Sequence, residues 1–267
     1  MEDAHAAVAR VARHYTDSAA GYAEFWEPVI RPVGCRLLEA LPCDRASRVL
    51  DVGTGTGALL PGIRLVAPAA RIVGVDLSFG MLACAPREGV LLAGMDAMHL
   101  ALRAGAFDVA VLAFMLFHVP DPVATLAEVK RVLRSSGALG IATWGDDPTP
   151  PAGLRWDEEL DAWGAHDPLP PPARHHELMD TPSKVVDLLT AAGLRPSRAW
   201  IETIEHEWDP ARFIGLRTRF GAAKRKLDAL EPAKRQAFLE RMRTRLSGLA
   251  PREFRYRGEA VCAVAFA

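Results

Sequence analysis

The chain has 267 residues, of which 50% are hydrophobic and 24% charged, and its formal net charge is −1. That much apolar material builds a sizeable core and excludes disorder as a description of the whole, and the length fits one large domain or a core with a smaller attachment. The near-neutral balance argues against a dedicated nucleic-acid binder, which carries a strong basic excess.

The opening residues, Met1-Glu2-Asp3-Ala4-His5, lack the basic region and apolar run of a secretory signal. Roughly the first 45 residues read as helical, with Pro28 and Pro32 breaking the pattern. From about residue 48, short apolar runs alternate with amphipathic stretches, as in a parallel sheet covered by helices. Arg48 to Val52 reads as the first strand, followed by a Gly-rich turn and a helix from about Ala58. Arg71 to Asp76 is the second strand, with Ser78 as N-cap of the next helix, and Val90 to Ala93 is a short third. Phe107 to Phe114 is a continuous β-leaning run, as expected of a strand buried on both faces. The longest apolar stretch, Val109 to Phe117, is about half the ~20 residues that span a bilayer, so membrane insertion is not expected.

Asp121-Pro122 opens a helix to about Leu133, and Gly137 to Trp144 is the fifth strand. The proline-rich stretch Gly145 to Pro172 reads as a loop-rich excursion rather than a regular layer. Thr181-Pro182 restarts a helix that ends at Gly193, and Ala199 to Trp208 reads as another strand. Asp209-Pro210 and Glu231-Pro232 open two further amphipathic helices, and Glu259 to Ala267 is a terminal strand. Between Ala211 and Arg257 basic residues greatly outnumber acidic ones. That excess reads either as a solvated helix face or as a docking face for an anionic substrate or acidic carrier protein. The four cysteines, Cys35, Cys43, Cys84 and Cys262, show neither CxxC pairing nor ligand-like spacing with histidine, and read as reduced thiols of a cytoplasmic protein.

The densest signal is Val49-Leu50-Asp51-Val52-Gly53-Thr54-Gly55-Thr56-Gly57, a strand running into three alternate glycines and then a helix. Glycine permits positive φ and close approach of a ligand to the backbone. A helix N-terminus offers unpaired N–H groups to a carboxylate or phosphate. Asp76, at the end of the second strand, can accept both hydroxyl protons of a ribose. Gly53-x-Gly55-x-x-Ala58 formally matches the dinucleotide fingerprint. Asp51 separates the two ligand classes, because a carboxylate there repels a pyrophosphate but pairs with the ammonium group of an amino-acid-bearing cofactor.

On these residues the chain resembles the class I S-adenosylmethionine (SAM)-dependent methyltransferases, whose first motif is similar to VLDVGTGTG. The resemblance continues through Val75-Asp76-Leu77-Ser78, Gly94-Met95-Asp96-Ala97, Phe107-Asp108-Val109 with Phe117-His118-Val119-Pro120-Asp121, and Leu133-Arg134-Ser135-Ser136-Gly137. It covers roughly residues 45–145 and lies nearest the branch of ubiquinone and menaquinone biosynthesis and natural-product enzymes. It implies a Rossmann-like α/β fold: a doubly wound, mostly parallel seven-stranded sheet with the last strand antiparallel, an N-terminal helical lid and a helical insertion after strand five. The implied units are residues 1–45 as lid, 46–145 as SAM-binding core, 146–250 as substrate and lid insertion with strand six, and 251–267 as the terminal strand.

Carried over by position, the resemblance implies that the turn of Gly53, Thr54, Gly55 and Gly57 packs under the methionine portion, with Asp51 positioning its amino group. Asp76 takes the ribose diol, Leu77 and Met81 the adenine face, and Asp96 with the Ala97 N–H the adenine edge. The backbone at Ala113 and Phe114 lines the sulfonium, and the lid tyrosine Tyr22 reaches the carboxylate. Tyr15, Trp26, Phe117 and Trp144 are the candidate acceptor contacts, and His118, after the fourth strand, is the candidate general base. His118 also reads as a cleft-lining residue with no chemical role.

His166, Asp167, His175, His176 and Glu177 lack HExxH or repeated Cys/His spacing, so exposed loop residues rather than a metal site are expected, with His175 or His176 a substitute base if either faces the cleft. The expected activity is methyl transfer to a small, fairly apolar acceptor, with oxygen ahead of carbon or nitrogen, in natural-product metabolism, and S-adenosylhomocysteine (SAH) as the other product. No nucleic acid or membrane partner is expected; a homodimer and an acidic carrier protein stay open. The rival readings are a SAM-binding fold turned to non-methyl chemistry such as cyclisation, and a nicotinamide-dependent oxidoreductase.

Overall fold

The computed structural model of the chain describes residues 4–168 and 175–267, with side chains from residue 8 onward. Seven strands form one sheet: β1 (Arg48–Val52), β2 (Arg71–Asp76), β3 (Val90–Gly94), β4 (Phe107–Ala113), β5 (Leu133–Trp144), β6 (Arg195–Glu207) and β7 (Arg255–Phe266). Their order is β3-β2-β1-β4-β5-β7-β6. The first five run parallel, and β7 is antiparallel to both β5 and β6. Val49, Val109, Val111, Ala138, Leu139, Val261 and Ala263 are fully buried, which is why these runs are apolar throughout instead of alternating.

The chain moves outward from β1 to β2 to β3, then returns to place β4 on the other side of β1. This reversal leaves a crevice beyond the carboxyl ends of β1 and β4, where open α/β sheets bind ligands. The helices around it start where local chemistry tells them to. Helix α4 (Phe79–Cys84) is capped by Ser78, which accepts from the Met81 N–H at 3.2 Å, and α5 (Pro122–Val132) by Asp121, which accepts from the Ala124 N–H at 2.9 Å. Helix α3 begins at Leu60 and runs to Val66, two residues later than expected, because the glycine turn extends past Gly57 before the backbone becomes helical.

Two departures from sequence expectation share one cause, burial that local signals do not report. After α1 (Ala4–Gly21) and a π-helical turn (Tyr22–Trp26), α2 (Glu27–Glu39) continues through Pro32 without breaking. Val29, Ile30, Val33, Leu37 and Leu38 on that helix are all buried, and their packing outweighs the hydrogen bond that proline forgoes. The proline-rich stretch after β5 is not all loop. It contains α6 (Pro151–Ala162), in which Ala152, Trp156 and Leu160 are fully buried and Pro151 occupies a first-turn position that tolerates proline. Helix α7 (Pro182–Ala191) follows, and three helices rather than two precede β7: α8 (Pro210–Arg219), α9 (Gly221–Asp228) and α10 (Pro232–Ser247). Gly221, at φ +76°, makes the break between α8 and α9.

Much of the uneven charge is paired inside this helical layer. The basic residues of α8–α10 meet acids of α6 and its continuation: Arg217 with Asp157, Lys226 with Asp161 at 2.8 Å, Arg241 and Arg245 with Glu159, and Arg225 with Asp167 at 2.5 Å. Burial works against ionising Glu159, but the Trp163 indole and the two guanidinium groups outweigh it and hold its carboxyl below the ordinary value. The layer has its own apolar centre, with Trp156 edge-on to Phe213 and Phe238 at 6.4 and 5.2 Å. Trp156→Ala should therefore lower unfolding free energy by about 3–5 kcal/mol in a denaturant titration; a loss near zero would show that α6 contributes nothing to the folded core.

Candidate functional site

The turn after β1 is shaped by backbone that only glycine takes cheaply. Gly53, Gly55 and Gly57 stand at φ +72°, +56° and +80°. The N–H groups of Gly53 and Thr54 both donate to the Val75 carbonyl, at 2.8 and 2.9 Å, pinning the turn to β2. A Cβ at Gly53 would come within 2.6 Å of Met115, and one at Gly57 within 2.6 Å of Pro86. Gly53 and Gly55 line a cavity of about 1150 Å³, its open mouth included, whereas Gly57 packs into the wall behind it.

Two carboxylates flank the turn. Asp76 Oδ2 accepts the Gly55 N–H and its Oδ1 the Ser78 N–H, both at 2.8 Å. Burial raises the Asp76 carboxyl above its ordinary value, against the lowering effect of those donors. Asp51, 2% exposed, accepts from the Thr54 hydroxyl at 2.7 Å. Burial pushes Asp51 up to about 7, the Thr54 hydrogen bond works against that, and the nearby Asp76 charge adds to it.

Of the positions singled out from sequence, Tyr15, Tyr22, Asp51, Gly53, Thr54, Gly55, Asp76, Leu77, Met81, Asp96, Ala97, Ala113, Phe114 and His118 share this one cavity. Met81 closes over Gly55, where a Cβ would stand 3.2 Å from its Cε. Phe114, at φ +56°, ends β4 in a left-handed conformation that costs a bulky residue on the order of 1–3 kcal/mol. It is held there by its N–H to the Ala142 carbonyl at 2.7 Å. Trp26, Phe117 and Trp144 are not on the cavity lining. Trp144 packs on Phe114 at 4.7 Å and on Trp26 at 5.9 Å, and Trp26 packs on Tyr256, while Phe117 is buried between His118 and His176.

Helix α1 roofs the cavity through Val8, Val11, Ala12 and Tyr15. Thr16 meets Ser78 hydroxyl to hydroxyl at 2.9 Å, and α1 approaches α4 so closely that a Cβ on Gly80 would sit 2.7 Å from the Thr16 Cα. Farther along the helical layer, Arg225 bridges His14 and Asp167. Tyr22, in the π-helical turn, is kept a neutral phenol by burial first, then by the charges of Tyr15, Glu27 and Asp76. Sequence reasoning missed Met115, Arg31 and the α1 residues Val8, Val11 and Ala12; no motif marks them, since they join the cavity only through packing. It also missed the Glu27 carboxylate, which accepts from the Thr56 hydroxyl at 2.5 Å and ties α2 to the glycine turn.

Among the described residues no group of three or more His, Cys, Asp or Glu is arranged to hold a metal ion. His166 is exposed, Asp167 is engaged by Arg225, His175 donates its N–H to the Phe117 carbonyl at 2.8 Å, His176 stacks on Phe117, and Glu177 is exposed. No described helix is long and apolar enough to cross a membrane.

Residues 50–141, the stretch that builds this cradle, match the methyltransferase-domain family. The chain carries a methyltransferase domain. Nocamycin O-methyltransferase of Saccharothrix syringae is 33% identical over 133 residues, 47% of this chain and 46% of that protein. The ubiquinone/menaquinone biosynthesis C-methyltransferase UbiE of Syntrophotalea carbinolica is 38% identical over 111 residues, 39% of this chain and 47% of that protein. The chain thus spans about half the length of these curated relatives. A crystal structure from Bacillus halodurans, assigned as a methyltransferase, superposes with a TM-score of 0.55 at 18% identity, covering 86% of this chain and 96% of that one. The fold is the class I methyltransferase fold, as the strand order and the antiparallel β7 already indicate.

The buried carboxylate of the methyltransferase domain gives a stability prediction whose sign follows from its titration. An acid whose folded value lies above its unfolded one binds more protons when folded, so stability falls as pH rises from about 3.8 to about 7 and is flat above. Asp51→Asn keeps an oxygen for Thr54 and removes the charge. It should stabilise the protein above pH 7 by up to about 4 kcal/mol and leave it unchanged below pH ~4, read as melting temperature against pH. An Asn variant no more stable than the parent at high pH contradicts the burial cost.

Proposed function

We propose that the chain transfers a methyl group from SAM to a hydroxyl of a small, fairly apolar acceptor. The observation that carries this reading is the cradle itself: a glycine turn open to close backbone approach, with the carboxylates of buried Asp51 and partly buried Asp76 on either side. Such a pocket repels a pyrophosphate and suits a molecule with an ammonium group at one end and a ribose at the other. The donor set fits SAM: Asp51 toward the ammonium, Asp76 toward the ribose hydroxyls, and Asp96 and Ala97, which line the same cavity, toward the adenine. When bound, SAM supplies an electrophilic methyl group whose departure leaves a neutral thioether.

The chain's own work is then chiefly to hold and align. Met81, Met115 and the α1 residues surround the cavity with apolar surface that keeps water out, and positioning of this kind lowers a barrier by ~7–11 kcal/mol. His118 stands at the same cavity, beyond the carboxyl end of β4, where an imidazole can take the proton of an acceptor hydroxyl. The apolar lining supports an acceptor of low polarity, and His118 is what favours oxygen, since the relatives include both an O-methyltransferase and a C-methyltransferase.

Calorimetry with SAH tests the cradle. Binding of an ammonium group beside Asp51 favours its ionised form, so SAH affinity should rise as pH goes from about 6 to 8, with release of a proton. Asp76→Ala should weaken SAH binding by at least tenfold while the far-ultraviolet spectrum stays native, and NADH should not raise the melting temperature where SAH does. An undiminished SAH affinity in Asp76→Ala, or tight NADH binding, sinks the assignment.

A further inference from the structure

The Tyr15 hydroxyl lies 2.8 Å from His118 Nε2, across the junction between the helical roof and the sheet. Tyr15 comes from α1 and His118 from the single turn Leu116–His118 that follows β4, and both line the cavity. The two rings meet edge to face at 5.2 Å. Tyr15 is also edge-on to His14 at 5.1 Å and to Tyr22 at 5.9 Å, so its ring is set by neighbours on three sides. The adjacent Thr16 is fixed to Ser78 and pressed on Gly80, which makes the height of the Tyr15 hydroxyl above the sheet a property of the α1–α4 contact. The backbone N–H of His118 donates to the Met115 carbonyl at 3.0 Å and anchors the turn.

This geometry bears on how a proton leaves an acceptor. The Nε2 lone pair that would serve as base already receives a hydrogen bond when the phenol donates to it, and an acceptor hydroxyl cannot use the same lone pair without displacing Tyr15. A phenol oxygen that donates one hydrogen bond still has acceptor capacity of its own. We propose, resting on the hydroxyl-methylation reading above, that Tyr15 and His118 form one proton-accepting unit in which Tyr15 is the group that touches the acceptor. The acceptor O–H gives its proton to the Tyr15 oxygen while Tyr15 passes its own proton to His118 Nε2. The acceptor oxygen forms its bond to the methyl carbon as the sulfur–carbon bond of SAM breaks. The products are the methyl ether, neutral SAH and an imidazolium, so the charge of the sulfonium ends on His118 and the phenol is regenerated. Because its two halves sit on different elements, the base exists only while α1 is seated, which ties proton removal to closure of the roof.

Two phenols and three variants test this. At about pH 8 phenol is un-ionised, its group titrating near ~10 as in tyrosine, whereas 4-nitrophenol is already ionised and needs no base. With SAM and phenol, Tyr15→Phe, His118→Gln and the double variant should each lose about 10²-fold in turnover, the double no more than either single, as expected of residues acting as a unit. With 4-nitrophenol the same variants should lose only a few-fold. In the resting protein, nitrogen-15 spectra should show His118 Nε2 unprotonated and hydrogen-bonded, and Tyr15→Phe should move that resonance. The relay is overturned if Tyr15→Phe methylates phenol at the parent rate, loses equally on both phenols, or leaves the Nε2 signal in place. A parent protein that binds SAH yet methylates neither phenol overturns the hydroxyl reading, and the relay falls with it; a parent that methylates both with Tyr15→Phe unimpaired overturns the relay alone.

Discussion

The hydrogen bond from the Gly55 N–H to Asp76 holds the site in shape. It joins the tip of the glycine turn to the end of β2, and the second carboxylate oxygen takes the Ser78 N–H, so one side chain sets the turn, the strand end and the start of α4 together. The arrangement has a cost, because burial resists charge on both Asp76 and its neighbour Asp51. Two acids at close quarters under a roof of apolar helix persist because backbone and hydroxyl donors converge on them. A cationic ligand end is what such a pocket lacks.

Around that fixed point the molecule divides into a rigid floor and an assembled roof. The floor is parallel sheet with fully buried valines and alanines. The roof is α1, the π-helical turn, the start of α2 and the layer of α6 and α8–α10, and its N-terminal part is joined to the floor by individual contacts: Thr16 to Ser78, Tyr15 to His118 and Glu27 to Thr56. Phe25 seats against Gly215 of α8, where a Cβ would lie 2.5 Å from its ring, and Arg225 reaches back to His14 on α1. The strain at Phe114 sits where roof and floor meet, its ring shared with Trp144.

The floor was legible in the sequence because its signals are local. Glycines at alternate positions, an acid at the next strand end, and Ser78 or Asp121 before a helix each state their purpose within a few residues. The strand boundaries followed from apolar runs, though β5, β6 and β7 each begin four residues earlier than expected, in mostly polar stretches that lengthen the ladder and add only Leu133 and Tyr256 to the core. The roof was not legible for the converse reason. Nothing near Pro32 says that the helix carries on, because buried Val33 and Leu37 decide it. The prolines around 148–151 read as loop, because Trp156 reveals itself as a core residue only against Phe213 and Phe238. Trp26 and Trp144 have the composition of a binding wall but spend their faces on each other and on Tyr256 and Phe114.

The cross-pairing of α6 acids with α8–α10 bases has a consequence for how such proteins diversify. Asp157, Glu159 and Asp161 each answer a guanidinium or ammonium group some 60 or more residues away, on the far side of β6. Replacing either partner set alone would strand charge in a half-buried seam, which couples the choice of residues on α6 to that on α8–α10. Recombination that exchanges ligand preference while keeping the glycine cradle would then cut just after β5 and just before β7, and the incoming piece would bring its own edge strand, β6, to pair with an unchanged β7.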